Sequence, residues 1–364
     1  MNPPGAIDAT SRGSHQSAPA ASPGTSGRGK RAARVLLFLL GLAVLASILA
    51  AVGWKSVEAN LGLIGGWFLG LVLLYALAQL SFALGWWVLT GPAPRPISFA
   101  DLFAAYLGGD AINYLTTVGG EPVKAQLLKK KMGFSRAFAT VAVHRHADVL
   151  AQWIFLSLGV AVALTRFALP AAARLVALGG LLFLGGLLLW LTWGLRRGAF
   201  RPALAWIGRF PPLSHRMARL DESARILDSK IGEFYAERHR HFWTAVAWCF
   251  LGWCGGLLET YLVLRLLAPR EGWATAVAIE SMAMVLNTML LFIPARIGSA
   301  EGIRAGVYVL VGLTAAQGVA YGLVRRAREL LWIMPGLVIL LKRHVLGIGH
   351  LKLPETELSE EAAR

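Results

Sequence analysis

Val118-Gly119-Gly120-Glu121-Pro122-Val123-Lys124 and Pro294-Ala295-Arg296-Ile297-Gly298-Ser299-Ala300-Glu301-Gly302-Ile303-Arg304 interrupt two otherwise apolar stretches, and the two interruptions match. Glu121 and Glu301 stand 180 positions apart; Lys124 and Arg304 follow them by three, and Arg145 and Arg325 follow by 24. Ala147 with Ala327 and Leu150 with Leu330 extend the correspondence. Asn113 and Asn287 lie upstream at unequal distances and carry less weight. A glutamate, a cation and a later arginine in one order and spacing point to an internal duplication, a common plan among transporters.

Each motif reads as a hairpin tip leading into a helix. Glycine admits turns that other residues resist, and Pro122 fixes φ and withdraws an amide. Irregular backbone at membrane depth is tolerated where protein buries it or where it lines a wet cavity. A cavity containing both tips is therefore expected.

The surrounding sequence supplies the membrane. Of 364 residues, 56% are hydrophobic and 15% charged, against about a quarter charged in soluble domains. Apolar runs at 35–52, 61–90, 137–165, 175–195, 242–267 and 317–341 approach or exceed the roughly 20 residues a crossing needs. The first reads as an uncleaved anchor rather than a signal peptide, behind a disordered basic tail at 1–34. Gly24-x4-Gly29-Lys30 in that tail lacks the following Ser or Thr and a preceding strand, so it is no P-loop. Residues 346–364 form a second tail.

Charge then sets the topology. The net charge is +16, which in this setting reads as basic loops retained on the cytoplasmic side rather than as a nucleic-acid footprint. A full crossing at 99–123 would put Lys124, Lys129, Lys130, Lys131 and Arg136 outside. A re-entrant hairpin keeps them inside. The same treatment of 274–302 keeps Lys342, Arg343 and His344 inside. The expected fold is thus an all-α polytopic membrane protein with about six crossings and two re-entrant hairpins. Its repeat halves, about 99–165 and 274–341, have opposite orientation. Between them 196–241 is a basic cytoplasmic stretch. Met217, Leu220, Ala224, Leu227, Ile231 and Phe234 recur there at helical spacing, as in an interfacial helix.

Charged residues inside spans are costly and usually functional. His144, Arg145, His146 and Asp148 follow the first hairpin; Arg325, Arg326, Arg328 and Glu329 follow the second. Two pairings are open. Arg145 can bond Asp148 and Arg325 can bond Glu329 within one helix, or Glu121 can pair with Arg145 and Glu301 with Arg325. Glu121 and Glu301 can also be plain helix-start carboxylates. Arg326 fits snorkelling best. His144 and His146 fall on different helix faces, so no metal site is expected. Cys249 and Cys254 read as small apolar fillers. Trp54, Trp67, Trp86, Trp87, Trp193, Trp243 and Trp273 read as interfacial belt residues.

Gly120-Glu121-Pro122-x-Lys124 with Arg145 and Asp148, then Pro294-x3-Gly298-x2-Glu301 with Arg325, resembles the flippase-like family built around the transmembrane domain of lysylphosphatidylglycerol synthases, over about 35–345. Arg326-x-Arg328-Glu329-Leu330-Leu331-x3-Pro335-Gly336 resembles the branch found in hopanoid-synthesis clusters. The resemblance implies a translocator of a charged or bulky lipid in a bacterial inner membrane, both termini cytoplasmic. Fused members carry an aminoacyl-transferase after the membrane part; this sequence runs only to Arg364, so synthase activity is not expected. The candidate translocation residues are Gly120, Glu121, Lys124, Arg145, Asp148, Pro294, Gly298, Glu301, Arg304, Arg325, Arg328 and Glu329. No catalytic group, cofactor or nucleic acid is expected. The partner is a membrane lipid (anionic phospholipid, hopanoid and polyprenyl-linked lipid all stay open), with a homo-oligomer compatible. The alternatives are a lipid-modifying enzyme using Glu121, His144 and Asp148 as acid–base groups, and a lipid-binding subunit that recruits an enzyme through 196–241.

Overall fold

The computed structural model describes residues 43, 46–91, 97–116, 119–198, 214–289 and 298–343. All regular structure among them is α-helix: α1 (Trp54–Gly65), α2 (Phe68–Leu89), α3 (Phe99–Thr116), α4 (Gly120–Met132), α5 (Phe134–Arg166), α6 (Ala171–Arg197), α7 (Ser214–Glu237), α8 (His239–Leu267), α9 (Trp273–Met289), α10 (Ser299–Leu310) and α11 (Ala315–Lys342). The expected tails at 1–34 and 346–364, most of the 35–52 run, and Pro294 lie outside the described residues.

The protein is an all-α polytopic membrane protein. Helices α2, α5, α6 and α8 are each long and apolar enough to cross a bilayer. They match four of the expected crossings, with a correction to 61–90. That run breaks at Gly66 and Trp67, so the crossing helix is Phe68–Leu89 and the residues before it belong to α1. Helix α11 has 28 residues, about 42 Å at 1.5 Å per residue. Its length suffices for a crossing, but Arg325, Arg326, Arg328 and Glu329 break its apolar character.

In the first awkward segment α3 packs against α4, and in the second α9 packs against α10, with 290–297 between them outside the described residues. In the first, Asp101 at the start of α3 is ion-paired with Lys131 at the end of α4, so the two ends of the hairpin lie together. Lys131 and Ser98 hold the Asp101 carboxyl down at about 2. Arg343, just past α11, also reaches Asp101, at 3.3 Å. At the end of α2, Gly91 packs beside Arg238 and Arg136. One end of the molecule therefore gathers Lys131, Arg136, Arg238 and Arg343.

The base of the second hairpin lies at the far end of α8, 29 residues along from Arg238. There Trp273, the first residue of α9, stacks on Tyr261 with ring centroids 3.7 Å apart. Gln317, in the first turn of α11, donates to the Leu267 carbonyl at 2.7 Å. The two hairpin bases thus sit at opposite ends of the molecule.

The described helices of the two halves follow one order: an arm of 18 or 17 residues, an arm of 13 or 12, and a long helix of 33 or 28. Each short arm opens at a glycine with positive φ, Gly119 at 116° and Gly298 at 77°. The first arm of each hairpin packs against the long helix of the other half: α3 on α11, and α9 on α5. Both crossings need a glycine. A Cβ on Gly336 would stand 2.3 Å from the Leu107 carbonyl oxygen, and one on Gly159 would fall 1.6 Å from Ser281 Oγ. Small residues at a crossing let helix backbones approach closely in a bilayer.

Helix α7 corrects a further expectation. Its Leu227, Ile231 and Phe234 are buried, and they join a cluster with Leu89, Val143, Ala147 and Leu195. Its apolar stripe faces α5 and α6 rather than lipid. Helical periodicity reports an apolar face but not what covers it. Met217 and Leu220 lie outside the described side chains. Trp86 also departs from the belt reading. It is fully buried and donates to Thr140 Oγ1 at 3.1 Å. Trp54, Trp67, Trp193, Trp243 and Trp273 are exposed.

Candidate functional site

The first hairpin tip is organised by Asn113. Its Oδ1 accepts the Gly120 amide at 2.8 Å, and its Nδ2 donates to Glu121 Oε1 and Oε2 at 3.1 and 3.0 Å. The start of α4 is thus capped from α3, which leaves the Glu121 carboxylate turned outward and 27% exposed. Lys124 Nζ lies 3.9 Å from Glu121 Oε1 and 4.8 Å over the Tyr106 ring. The lysine stem crosses α3 at Gly109, where a Cβ would stand 2.3 Å from Lys124 Cγ.

Helix α5 forms the facing wall. Arg145 donates through one terminal nitrogen to Asp148 Oδ2 at 2.8 Å, and Trp253 Nε1 donates to Asp148 Oδ1 at 3.2 Å. The intrahelical alternative holds here, and no Glu121–Arg145 bond forms. The flanking histidines point away on separate faces. His144 Nε2 is 3.0 Å from the Phe82 carbonyl and 3.7 Å from Cys249 Sγ. His146 contacts Tyr235 Oη at 2.6 Å and Thr192 Oγ1 at 2.8 Å, tying α7 and α6 to α5.

Arg145 is the notable side chain. Every described residue from 137 to 157 on α5 is buried or half-buried except Arg145, whose side chain is 52% exposed. Charged groups within a crossing helix usually face the bundle interior or a water-filled cavity.

The second half pairs its charges differently. Glu301 accepts the Gly298 amide at 2.9 Å, the helix-start role, and receives Arg326 Nε at 3.0 Å. The snorkelling expectation for Arg326 fails because a buried carboxylate holds it. The Glu301–Arg325 alternative fails with it. Arg325 donates instead to Glu280, at 2.8 and 3.0 Å, and lies 3.7 Å from Glu329. Arg304 approaches Glu280 at 3.7 Å, and Thr260 Oγ1 donates to that carboxylate at 2.7 Å. Arg328 is ion-paired with Glu259, both 1% exposed, with its guanidinium 3.8 Å above the Tyr75 ring.

The two halves meet. Arg326 also donates to Tyr114 Oη on the first hairpin, at 2.6 Å. Tyr75 lies within electrostatic reach of both Asp110 on α3 and Glu329 on α11. Gly120, Glu121, Lys124, Arg145 and Asp148 therefore form one cluster; Gly298, Glu301, Arg304, Arg325, Arg328 and Glu329 form its neighbour. Glu259 and Glu280 were missed. Each is a lone acid inside an apolar run, the signal that intramembrane charge provides.

The lysylphosphatidylglycerol synthase TM region, as a family profile, matches residues 33–336. The chain belongs to that family. Among its relatives is a UPF0104 membrane protein of Pyrococcus horikoshii, 25% identical over 338 residues, which covers 86% of this chain and 98% of the relative. No solved structure matches the chain. In this member of the lysylphosphatidylglycerol synthase TM-region family, the matched residues take in both hairpins and the charged segment of α11.

Proposed function

We propose that this protein moves a lipid headgroup across the membrane through the cavity between the two hairpins, without chemical change to the lipid. The observation that carries the reading is Arg145, half-exposed on a crossing helix whose neighbouring side chains are packed. Lipid tails can stay in the bilayer while a headgroup meets charges in such a cavity.

Three features support it. The hairpin bases lie at opposite ends of the molecule, the helix order repeats, and the first arms exchange partners between halves. These features support an inverted repeat with two re-entrant hairpins as part of the proposal, a plan suited to alternating access around a central site. The charged groups are held mainly by one another, which suits reversible binding. Membership in the lysylphosphatidylglycerol synthase TM-region family supports a lipid-related role.

We further propose a bacterial inner membrane as the location, with the end carrying Lys131, Arg136, Arg238 and Arg343 in the cytoplasm, as the retention of basic loops there requires. The test is leaflet exchange of fluorescent lipids in liposomes holding the full chain, beside Glu121→Ala. Wild-type exchange above protein-free vesicles, reduced in the variant, is expected. Exchange that is equal with and without protein for every lipid class tried rejects translocation.

A further inference from the structure

Two arginines of the second half keep buried nitrogens without a hydrogen-bond partner among the described residues: Arg304 Nη1, and Arg328 Nε and Nη2. Buried polar groups are almost always paired, so each such donor calls for an acceptor. What stands beside the two arginines differs.

Arg328 is ion-paired with Glu259, and that pair leaves Glu259 Oε1 unpartnered too. Its charges balance, and its open atoms are donors together with an acceptor. Water both donates and accepts, so water suits a pair of this kind.

Arg304 has no open carboxylate oxygen of that kind beside it. Its Nη1 stands 3.7 Å from Glu280 Oε2, beyond hydrogen-bond reach. Other groups engage both oxygens of Glu280. Arg325 donates to Oε1 and Oε2 at 2.8 and 3.0 Å, and Thr260 Oγ1 donates to Oε2 at 2.7 Å. Tyr308 lies one turn beyond Arg304 on the same face of α10, and its buried hydroxyl is unpartnered as well. It is within electrostatic reach of Arg304, Glu280 and Arg325. A guanidinium N–H and a phenol O–H are thus both open, and what they lack is an acceptor.

Charge points the same way. Glu280 faces two guanidiniums, Arg304 at 3.7 Å and Arg325 at 2.8 Å. Arg325 has Glu329 as a second carboxylate, at 3.7 Å, whereas Glu280 is the one carboxylate within 4 Å of Arg304 among the described residues. A shared counter-charge leaves the Arg304 end positive, which is costly in a low-dielectric interior. Water would accept the hydrogen bonds without offsetting that charge; an anion does both. Arg304 is 6% exposed and Tyr308 0%. An enclosed site with one charge to offset suits a single atom carrying one negative charge.

We propose that Arg304 Nη1 and Tyr308 Oη form a site for a small monovalent anion, chloride or another halide. The Arg304 guanidinium also lies 4.9 Å over the Tyr321 ring on α11, so the ion would fasten the short arm α10 to α9 and α11 by supplying the counter-charge that Glu280 divides. The site is separate from the charges around Arg145 and does not depend on lipid movement.

The experiment is equilibrium dialysis of radiolabelled chloride against the full chain, purified in detergent in sodium gluconate, with thermal midpoints measured at constant ionic strength as gluconate is exchanged for chloride or bromide. The variants are Arg304→Gln and the milder Tyr308→Phe, which keeps the ring and the packing. Wild type should bind about one chloride per chain saturably, and its midpoint should rise with chloride and with bromide, because a ligand that binds only the folded chain stabilises it. Tyr308→Phe should weaken binding about tenfold, the loss of one hydrogen bond to a charged group. Arg304→Gln should abolish binding and make the midpoint the same in chloride and gluconate. Absence of saturable chloride binding to the wild type overturns the proposal and leaves water as the partner of these donors. Wild-type affinity in Tyr308→Phe and in Arg304→Gln, or equally tight competition by sulfate, overturns it too.

Discussion

Arg326 donates to Tyr114 Oη at 2.6 Å across 212 residues of sequence, and the same guanidinium holds Glu301. One side chain on α11 therefore fastens the tip of the first hairpin to the start of the second hairpin's short arm. In the proposed translocation cycle, in which the two hairpins move apart, this bond is a latch on one conformation. Tyr114→Phe removes the hydroxyl and keeps the ring. It should speed maleimide labelling of Leu115→Cys, which lies beside it on an exposed position, in a Cys254→Ala background. An unchanged labelling rate would mean that the contact holds nothing.

The Arg328–Glu259 pair makes a stability prediction. Both side chains are sealed, so Glu259→Gln leaves the buried guanidinium with only Glu329, 3.7 Å away, as counter-charge. Breaking one partner of such a pair costs about 3–5 kcal/mol, whereas replacing both with apolar groups is often neutral. Glu259→Gln should sharply lower the thermal midpoint, and Glu259→Leu with Arg328→Met should recover much of it. A double variant as unstable as the single one would show that the pair's position, not its charge, matters.

The exchanged packing of first arms depends on Gly159 and Gly336. Valine at either position must displace Ser281 or the Leu107 carbonyl. Overpacking of this kind costs typically 1–3 kcal/mol. Both Gly159→Val and Gly336→Val should lose stability, while Gly179→Val on α6, where a Cβ meets nothing within 4 Å, should not. Equal stability of all three would contradict the crossings.

At the base of the first hairpin the Asp101 carboxyl is held near 2 by Lys131 and Ser98. A depressed carboxylate contributes stability that is complete above its unfolded pKa of about 4 and is lost as pH falls toward 2. Hydrogen exchange in 99–132 should therefore quicken over that window in the wild type, and Asp101→Asn should show the quicker rate already at neutral pH. A pH-independent difference of zero between the two would remove Asp101 from the hairpin's closure.

Much of this arrangement was legible in residues. The long apolar runs of the sequence gave away the all-α membrane fold and four of its crossing helices, because a bilayer demands about 20 apolar residues per span. Asn113 and Asn287 lie three and two residues before the printed ends of α3 and α9, so both sit in the last turn of a first arm. Pairing was not legible. Glu301 meets Arg326 rather than Arg325 because one step along a helix rotates a side chain by about 100°, and sequence spacing does not set that rotation between helices. Glu280 and Glu259 escaped notice for a related reason. Each belongs to a helix outside the motif it neutralises, so only packing brings it there.

The most direct measurement is leaflet exchange of a fluorescent phosphatidylglycerol in liposomes containing the wild type or Arg145→Gln, with both proteins shown to be folded and equally incorporated. The cavity account predicts exchange with the wild type that falls toward the protein-free rate in the variant. Exchange by Arg145→Gln at the wild-type rate would contradict it, because the one exposed charge on that packed stretch of α5 would then have no part in moving lipid.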